Sequence, residues 1–162
     1  MKKILSVILA LFTLTLTACS SGLVPQEYAD QLTAIEEEYI NQAANASILL
    51  FNAILGDTQP DYSTVHDIAD KMESCLSEAE KLNPPAMYRD QHNDMCASIQ
   101  QERSFIAAFR RMETEGYTED VKNQLYEYSD RYFSEKCCGI LAELQNDGMN
   151  IPSEMIKALI GT

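Results

Sequence analysis

The chain has 162 residues, 12 of them lysine or arginine against 25 aspartates and glutamates, for a formal charge of −13 at pH 7. So acidic a surface is repelled by nucleic acid and by anionic lipid headgroups, which excludes binding modes that depend on a basic patch. The length suffices for one domain with a real core.

The first element lies outside that domain. Lys2 and Lys3 precede an uncharged run over residues 4–16, closed by Leu16-Thr17-Ala18-Cys19, which is the layout of a secretory signal. The run is too short to serve as a permanent membrane-spanning helix. Its closing residues resemble the lipobox of bacterial lipoproteins, in which the signal is cut before a cysteine whose thiol has received a diacylglyceryl group. The resemblance covers only the signal and the cleavage site. It implies a signal peptide over residues 1–18, a lipidated linker over 19–24 and a domain over 25–162, and it puts acylated Cys19 on the extracytoplasmic face of a bacterial membrane. Removing the signal leaves 10 basic and 25 acidic side chains, a formal charge of −15. The membrane partner is then engaged through acyl chains and not through surface charge.

Pro25 suits the first turn of a helix. Over residues 26–55, Tyr28, Leu32, Ile35, Tyr39, Ala43, Ala46, Leu50 and Ala53 recur at three- and four-residue steps, and Gly56 supplies a stop. A turn-rich stretch over 56–61 leads to a second helix over 63–83, with the stripe Val65, Ile68, Met72, Cys75, Ala79 and Leu82. Pro84-Pro85 then forces a sharp turn. The third helix, over 85–115, places Tyr88, His92, Met95, Ile99, Ile106 and Phe109 on its inner face and ends at Gly116. Thr118, followed by Glu119 and Asp120, is an N-cap signal for a single fourth helix to about residue 147, with Val121, Leu125, Tyr128, Tyr132, Ile140 and Leu144 on its apolar side. Residues 150–160 read as a short amphipathic helix. No strand-like alternation and no internal repeat occurs.

Short connections between long helices predict an all-α fold: an up-down-up-down antiparallel four-helix bundle with a short C-terminal helix, after the cleaved signal peptide. At 1.5 Å per residue the second helix spans about 31 Å and the other three about 45 Å. The tight proline turn fixes the second helix at the anchored end, so its shortfall falls at the distal end. There the first helix is apolar on nearly every side, through Ile48, Leu49, Leu50, Phe51, Ile54 and Leu55, and a helix of that kind is buried or binds something. The expected site has walls of Leu50, Phe51 and Ile54, Ile106 and Phe109, and Val121 and Leu125. The competing arrangement has residues 56–62 folded over the gap with Tyr62 as lid.

The common hydrolase, nucleotide-binding and thiol-redox motifs are missing: there is no H-E-x-x-H, G-x-S-x-G, P-loop or C-x-x-C. Neither His66 nor His92 has a glutamate three residues earlier, so the di-iron pattern fails as well. The cysteines are a stronger signal. Cys96 and Cys137 each lie about 20 residues from the turn at Gly116, and Cys75 falls near the same level counted from Pro84-Pro85. Helical angles put Cys75 inside, Cys96 and Cys137 on the flanks of their apolar faces and Cys138 outside. Outside the cytoplasm matched thiols oxidise, which predicts a Cys96–Cys137 disulfide. The alternatives are a zinc or copper site built from Cys75, His92, Cys96 and Cys137, or free thiols. Glu36-Glu37-Glu38 reads as a solvated face, and Tyr126, Tyr128, Tyr132 and Phe133 as core and boundary packing. Glu102 falls on an inner face, where Arg103 or Arg131 is its expected partner.

These features favour a noncatalytic binding or scaffolding module of the cell envelope, without a cofactor, whose partner is an envelope protein or a cationic or apolar ligand and not nucleic acid. A metal-binding or thiol-redox accessory protein is the alternative.

Overall fold

The computed structural model describes residues 22–56, 61–128 and 132–152. The signal region and Cys19 therefore lie outside the described residues, as does most of the expected C-terminal helix. The secondary-structure elements of the described residues are all helices, with no strand. None of their helices is long and apolar enough to cross a membrane.

Helix α1 is Pro25–Leu55, with proline in its first turn and Gly56 closing it at φ 70°, the left-handed conformation that glycine reaches without steric cost. Of its apolar steps, Tyr28, Leu32, Ile35, Tyr39, Ala43 and Ala46 become a buried face that Leu49 extends, while Leu50 and Ala53 are only partly buried. A single 3-10 turn, Tyr62–Thr64, leads into α2, Val65–Lys81, and the Asp61 carboxylate accepts from the Ser63 N–H at 2.9 Å. After the proline turn a second 3-10 turn, Ala86–Tyr88, opens α3, Arg89–Glu115. The Thr118 hydroxyl caps α4, Glu119–Glu127, by accepting from the Val121 N–H, as its position before Glu119 and Asp120 implies. Helix α5 is Tyr132–Asn146.

The expected single fourth helix is thus two. Tyr128 leaves helical geometry at φ −109°, ψ 19°. Phe133, in the first turn of α5, donates its N–H to Glu102 Oε1 of α3 at 3.1 Å. A buried carboxylate therefore satisfies one of the amides that any new helix start leaves open. The break also resets the helical phase, so angles counted from α4 do not carry into α5. As a result Cys138, expected outside, is buried, and Cys137, expected on a flank, is fully enclosed.

Helix α1 packs on α2 and α5, while α3 packs on α2, α4 and α5. Along α1 and α5, Gln26 meets Asn150, Glu36 meets Cys138, and Tyr39 meets Phe133 edge to face at 4.9 Å. Along α2 and α3, Arg103 reaches Glu80 and Glu73 at 2.7 Å each, and Arg110 reaches Asp70 at 2.6 Å. Tyr28 and Tyr39 of α1 bond His92 and Glu102 of α3 respectively. Arg103 is therefore turned outward to α2 and is not the partner of Glu102, and Arg131 lies outside the described residues. The core between these helices is built on Tyr28, Tyr39, Phe109, Phe133 and a set of Leu, Ile and Met side chains. Residues 150–152 are not helical, and Ile151 folds back into the core while Gln145 donates to its carbonyl at 3.3 Å.

Candidate functional site

The apolar end of α1 is only half covered. Ile48, Phe51, Ile54 and Leu55 are 61%, 60%, 55% and 57% exposed. Beside them a cavity of about 150 Å³ runs inward. Helix α1 contributes Tyr39, Ala43, Ser47, Leu50 and Ile54 to its wall; α3 and the turn after it add Glu102, Phe105 and Tyr117. Leu125, Tyr126 and Tyr128 close it from the α4 side, with Met72 of α2 behind. Of the expected wall, Leu50, Ile54 and Leu125 meet here. Ile106, Phe109 and Val121 are enclosed core, and Phe51 stands outside the cavity in solvent.

The inner end is polar. Tyr39 donates its hydroxyl to Glu102 Oε2 at 2.6 Å, and the other carboxylate oxygen holds the start of α5. Residues 57–60 of the expected lid lie outside the described residues. Tyr62 is half-buried beside the turn at Gly116, whose added Cβ would meet its ring at 3.9 Å, and it does not line the cavity. Reading by residue type missed Tyr117, Tyr126 and Tyr128 as site residues: Tyr117 lies in the turn before α4, and Tyr126 and Tyr128 lie where α4 stops. Tyr39 and Glu102 carried a usable signal, namely a polar group at an inward position.

The cysteine level is built differently from the expectation. Cys75, Cys96, Cys137 and Cys138 are all free thiols, so the expected Cys96–Cys137 disulfide is not formed. Each thiol has another neighbour: Cys96 Sγ lies 3.4 Å from His92 Nε2, and Cys138 donates to Glu36 Oε1 at 3.8 Å. Nor do Cys75, His92, Cys96 and Cys137 form a metal centre, since no group of three or more His, Cys, Asp or Glu among the described residues could hold an ion. Burial pushes the Cys75 thiol up to about 11 and Cys138 to about 12, with the Glu36 carboxylate adding to the second. Cys96 and Cys137 are raised by the same cause. Burial lowers His92, whose two ring nitrogens face the Tyr28 hydroxyl at 2.9 Å and the Cys96 thiol. The group is therefore held in its neutral forms, with protonated thiols that are poor nucleophiles.

Glu36 also departs from expectation. It is completely buried, its Oε2 has no hydrogen-bond partner, and desolvation raises its pKa to about 7. Glu37 and Glu38 are exposed, as a solvated face requires.

Comparison of the chain with family models, with curated proteins and with solved structures finds no match. The chemistry of the site must therefore be read from its own residues. A partly open, mostly apolar wall with a few polar groups at one end is the form of a small-molecule site. A cavity of about 150 Å³ cut into a protein core takes a benzene-sized guest, which sets the scale of what enters.

Proposed function

We propose that the protein is a lipid-anchored envelope protein, acylated at Cys19 on the extracytoplasmic face of the membrane, whose domain is a noncatalytic binding module. In this reading the domain is an up-down-up-down bundle. The opposite order of pairings along α1 and α5 and along α2 and α3, and the matching order along α1 and α3, support that arrangement. The observation that carries the function is the cavity beside the uncovered apolar end of α1.

The anchor reading draws support from the linker. Leu23 donates its N–H to the Asn83 carbonyl at 2.8 Å, and a Cβ added to Gly22 would fall 1.9 Å from the Pro84 carbonyl oxygen. Gly22 and Leu23 are therefore seated tightly against the α2–α3 turn. Three residues from Cys19 to Gly22 span at most about 11 Å, so an anchored domain stands close to the bilayer with the cavity at its far end.

The alternative, a metal or thiol-redox accessory role, keeps one favourable observation, the His92–Cys96 contact. Two neutral donors fall short of the closed four-ligand shell of a structural zinc site.

Methyl-resolved NMR of the protein titrated with small apolar and cationic compounds tests the binding role. Shifts confined to the methyls of Ala43, Leu50, Ile54 and Leu125 are expected. If no compound moves them, the cavity is not a binding site.

A further inference from the structure

Apart from two tyrosines, the exposed large hydrophobic side chains of the described residues gather at the two ends of the bundle. Ile48, Phe51, Ile54 and Leu55 stand at the far end beside the cavity. The two most exposed, Met87 at 64% and Val24 at 62%, stand at the opposite end. Val24 follows Leu23, whose N–H is held by the Asn83 carbonyl, and Met87 lies in the 3-10 turn just beyond Pro84 and Pro85. Neither is on a loose segment. Pro84 and Pro85 are buried, and the Tyr88 N–H bonds the Pro85 carbonyl at 2.9 Å. The buried Tyr88 ring then stacks on Tyr28 with centroids 6.4 Å apart. Core contacts thus fix the frame from which Val24 and Met87 reach solvent.

Single exposed apolar residues are ordinary on a protein surface. These two gain meaning from the tether. The acyl chains of a lipidated Cys19 lie in the hydrocarbon layer, and the headgroup layer above it is about 5–7 Å deep. Cys19 to Gly22 spans at most about 11 Å, and Gly22 is itself fixed against the Pro84 carbonyl. Even fully extended, the tether holds this end within a few ångströms of the headgroups. Charge does not supply an attraction there. Lys81 and Arg89 are outnumbered at this end by Glu27, Asp30, Asp90 and Asp147, so an anionic surface is not favoured. What remains is apolar burial at the membrane interface, which a zwitterionic bilayer satisfies.

We propose that Val24 and Met87 form a foot that rests in the headgroup layer of the bilayer and holds the bundle upright, with the cavity facing away from the membrane. The inference rests on the anchor at Cys19 proposed above and adds to it a second, noncovalent contact with lipid. The tether makes that contact intramolecular, so a small apolar area suffices.

Methyl-resolved NMR of the acylated protein in phosphatidylcholine nanodiscs tests it, with two paramagnets used separately: a lipid spin-labelled near the headgroup end of its acyl chain, and a water-soluble gadolinium chelate. The Val24 and Met87 methyl signals are expected to be lost with the spin-labelled lipid and kept with the chelate. Ile48 and Ile54, exposed at the far end, are expected to do the opposite. In the Val24→Ser/Met87→Gln variant, changed only at exposed positions, the Ala86 methyl signal should be lost with the chelate while acylated mass and nanodisc binding stay unchanged. Loss of the Val24 and Met87 signals to the chelate, in a protein whose mass shows the acyl chains, overturns the foot and leaves the anchor in place. An Ala86 methyl that stays shielded in the double variant overturns the foot as well. Protein that carries no acyl chain at Cys19 and does not join nanodiscs overturns both.

Discussion

Replacing Glu36 by glutamine should remove a pH dependence of stability that the wild-type protein carries. Glu36 is completely buried, and the groups facing it are Ser134, Cys137 and Cys138 on α5 and, more distantly, Glu102 on α3 and Cys75 on α2, so no cation among them offsets the loss of solvent. Its pKa rises from 4.5 to about 7 on folding. Between those values the folded protein keeps a proton that the unfolded chain has released, so unfolding liberates protons and stability falls as pH rises. With 4.5 and about 7 as end points, integration gives a loss of about 0.8 kcal/mol by pH 5 and about 3.3 kcal/mol by pH 8. The pH 5 to pH 8 interval therefore contains about 2.5 kcal/mol attributable to this one group. Urea unfolding of wild type and Glu36→Gln at both pH values measures it as a difference of differences. Any fixed cost of the glutamine amide cancels in that comparison. The buried His92, whose lowered pKa acts with the opposite sign, is common to both proteins and cancels as well. If the two proteins keep a constant separation from pH 5 to pH 8, the carboxyl is not held protonated by burial and the account of the α1–α5 contact is wrong.

Cys19→Ala should leave the protein unprocessed or released from membranes, and full retention with normal maturation on fractionation would end the lipoprotein reading. Tyr39→Phe removes the 2.6 Å bond to Glu102 and should cost about 1–3 kcal/mol in urea unfolding, the range for depriving a buried acceptor of a hydrogen-bond donor. Gly22→Ala cannot keep its contact with the Pro84 carbonyl, so the Leu23 amide should exchange rapidly in hydrogen-exchange measurements while amides in the middle of α3 stay protected. In the native protein, maleimide should label Cys96 first and Cys75, Cys137 and Cys138 only slowly, with all four equally reactive in urea; early labelling of Cys137 would contradict its full burial.

The helices were legible because their apolar steps and their stops agree. Pro25, Gly56, Pro84-Pro85, Gly116 and Thr118 each mark a boundary for a local physical reason, and most of the stripe residues between them become the buried faces, while Leu50, Ala53, Leu82 and Tyr128 are partly buried and Tyr132 is exposed. The break before α5 was not legible from periodicity, because Tyr128, Tyr132 and Ile140 continue an apolar series across it. Missing the break carried an error downstream: Cys137 and Cys138 were assigned angles from the wrong phase, and the expected disulfide rested on a level for Cys137 counted from Gly116 along an unbroken helix. Glu36 was misjudged because three consecutive glutamates look like one solvated face, whereas consecutive helical positions point in different directions and only Glu37 and Glu38 reach water.

The break and the cavity are two aspects of one construction. Glu102 sits at an inner position of α3, where a carboxylate needs partners that an apolar core does not supply. It finds one in Tyr39 across the core and one in the Phe133 amide, which is open to it only because α5 starts there. Starting α5 at that level stops α4 short, and the residues at its stop, Tyr126 and Tyr128, are the ones that border the cavity beside Leu125. An uninterrupted fourth helix would have had no open amide at Phe133 to offer Glu102. The position of one buried acid thus links the local end of a helix to the presence, lining and polarity of the site.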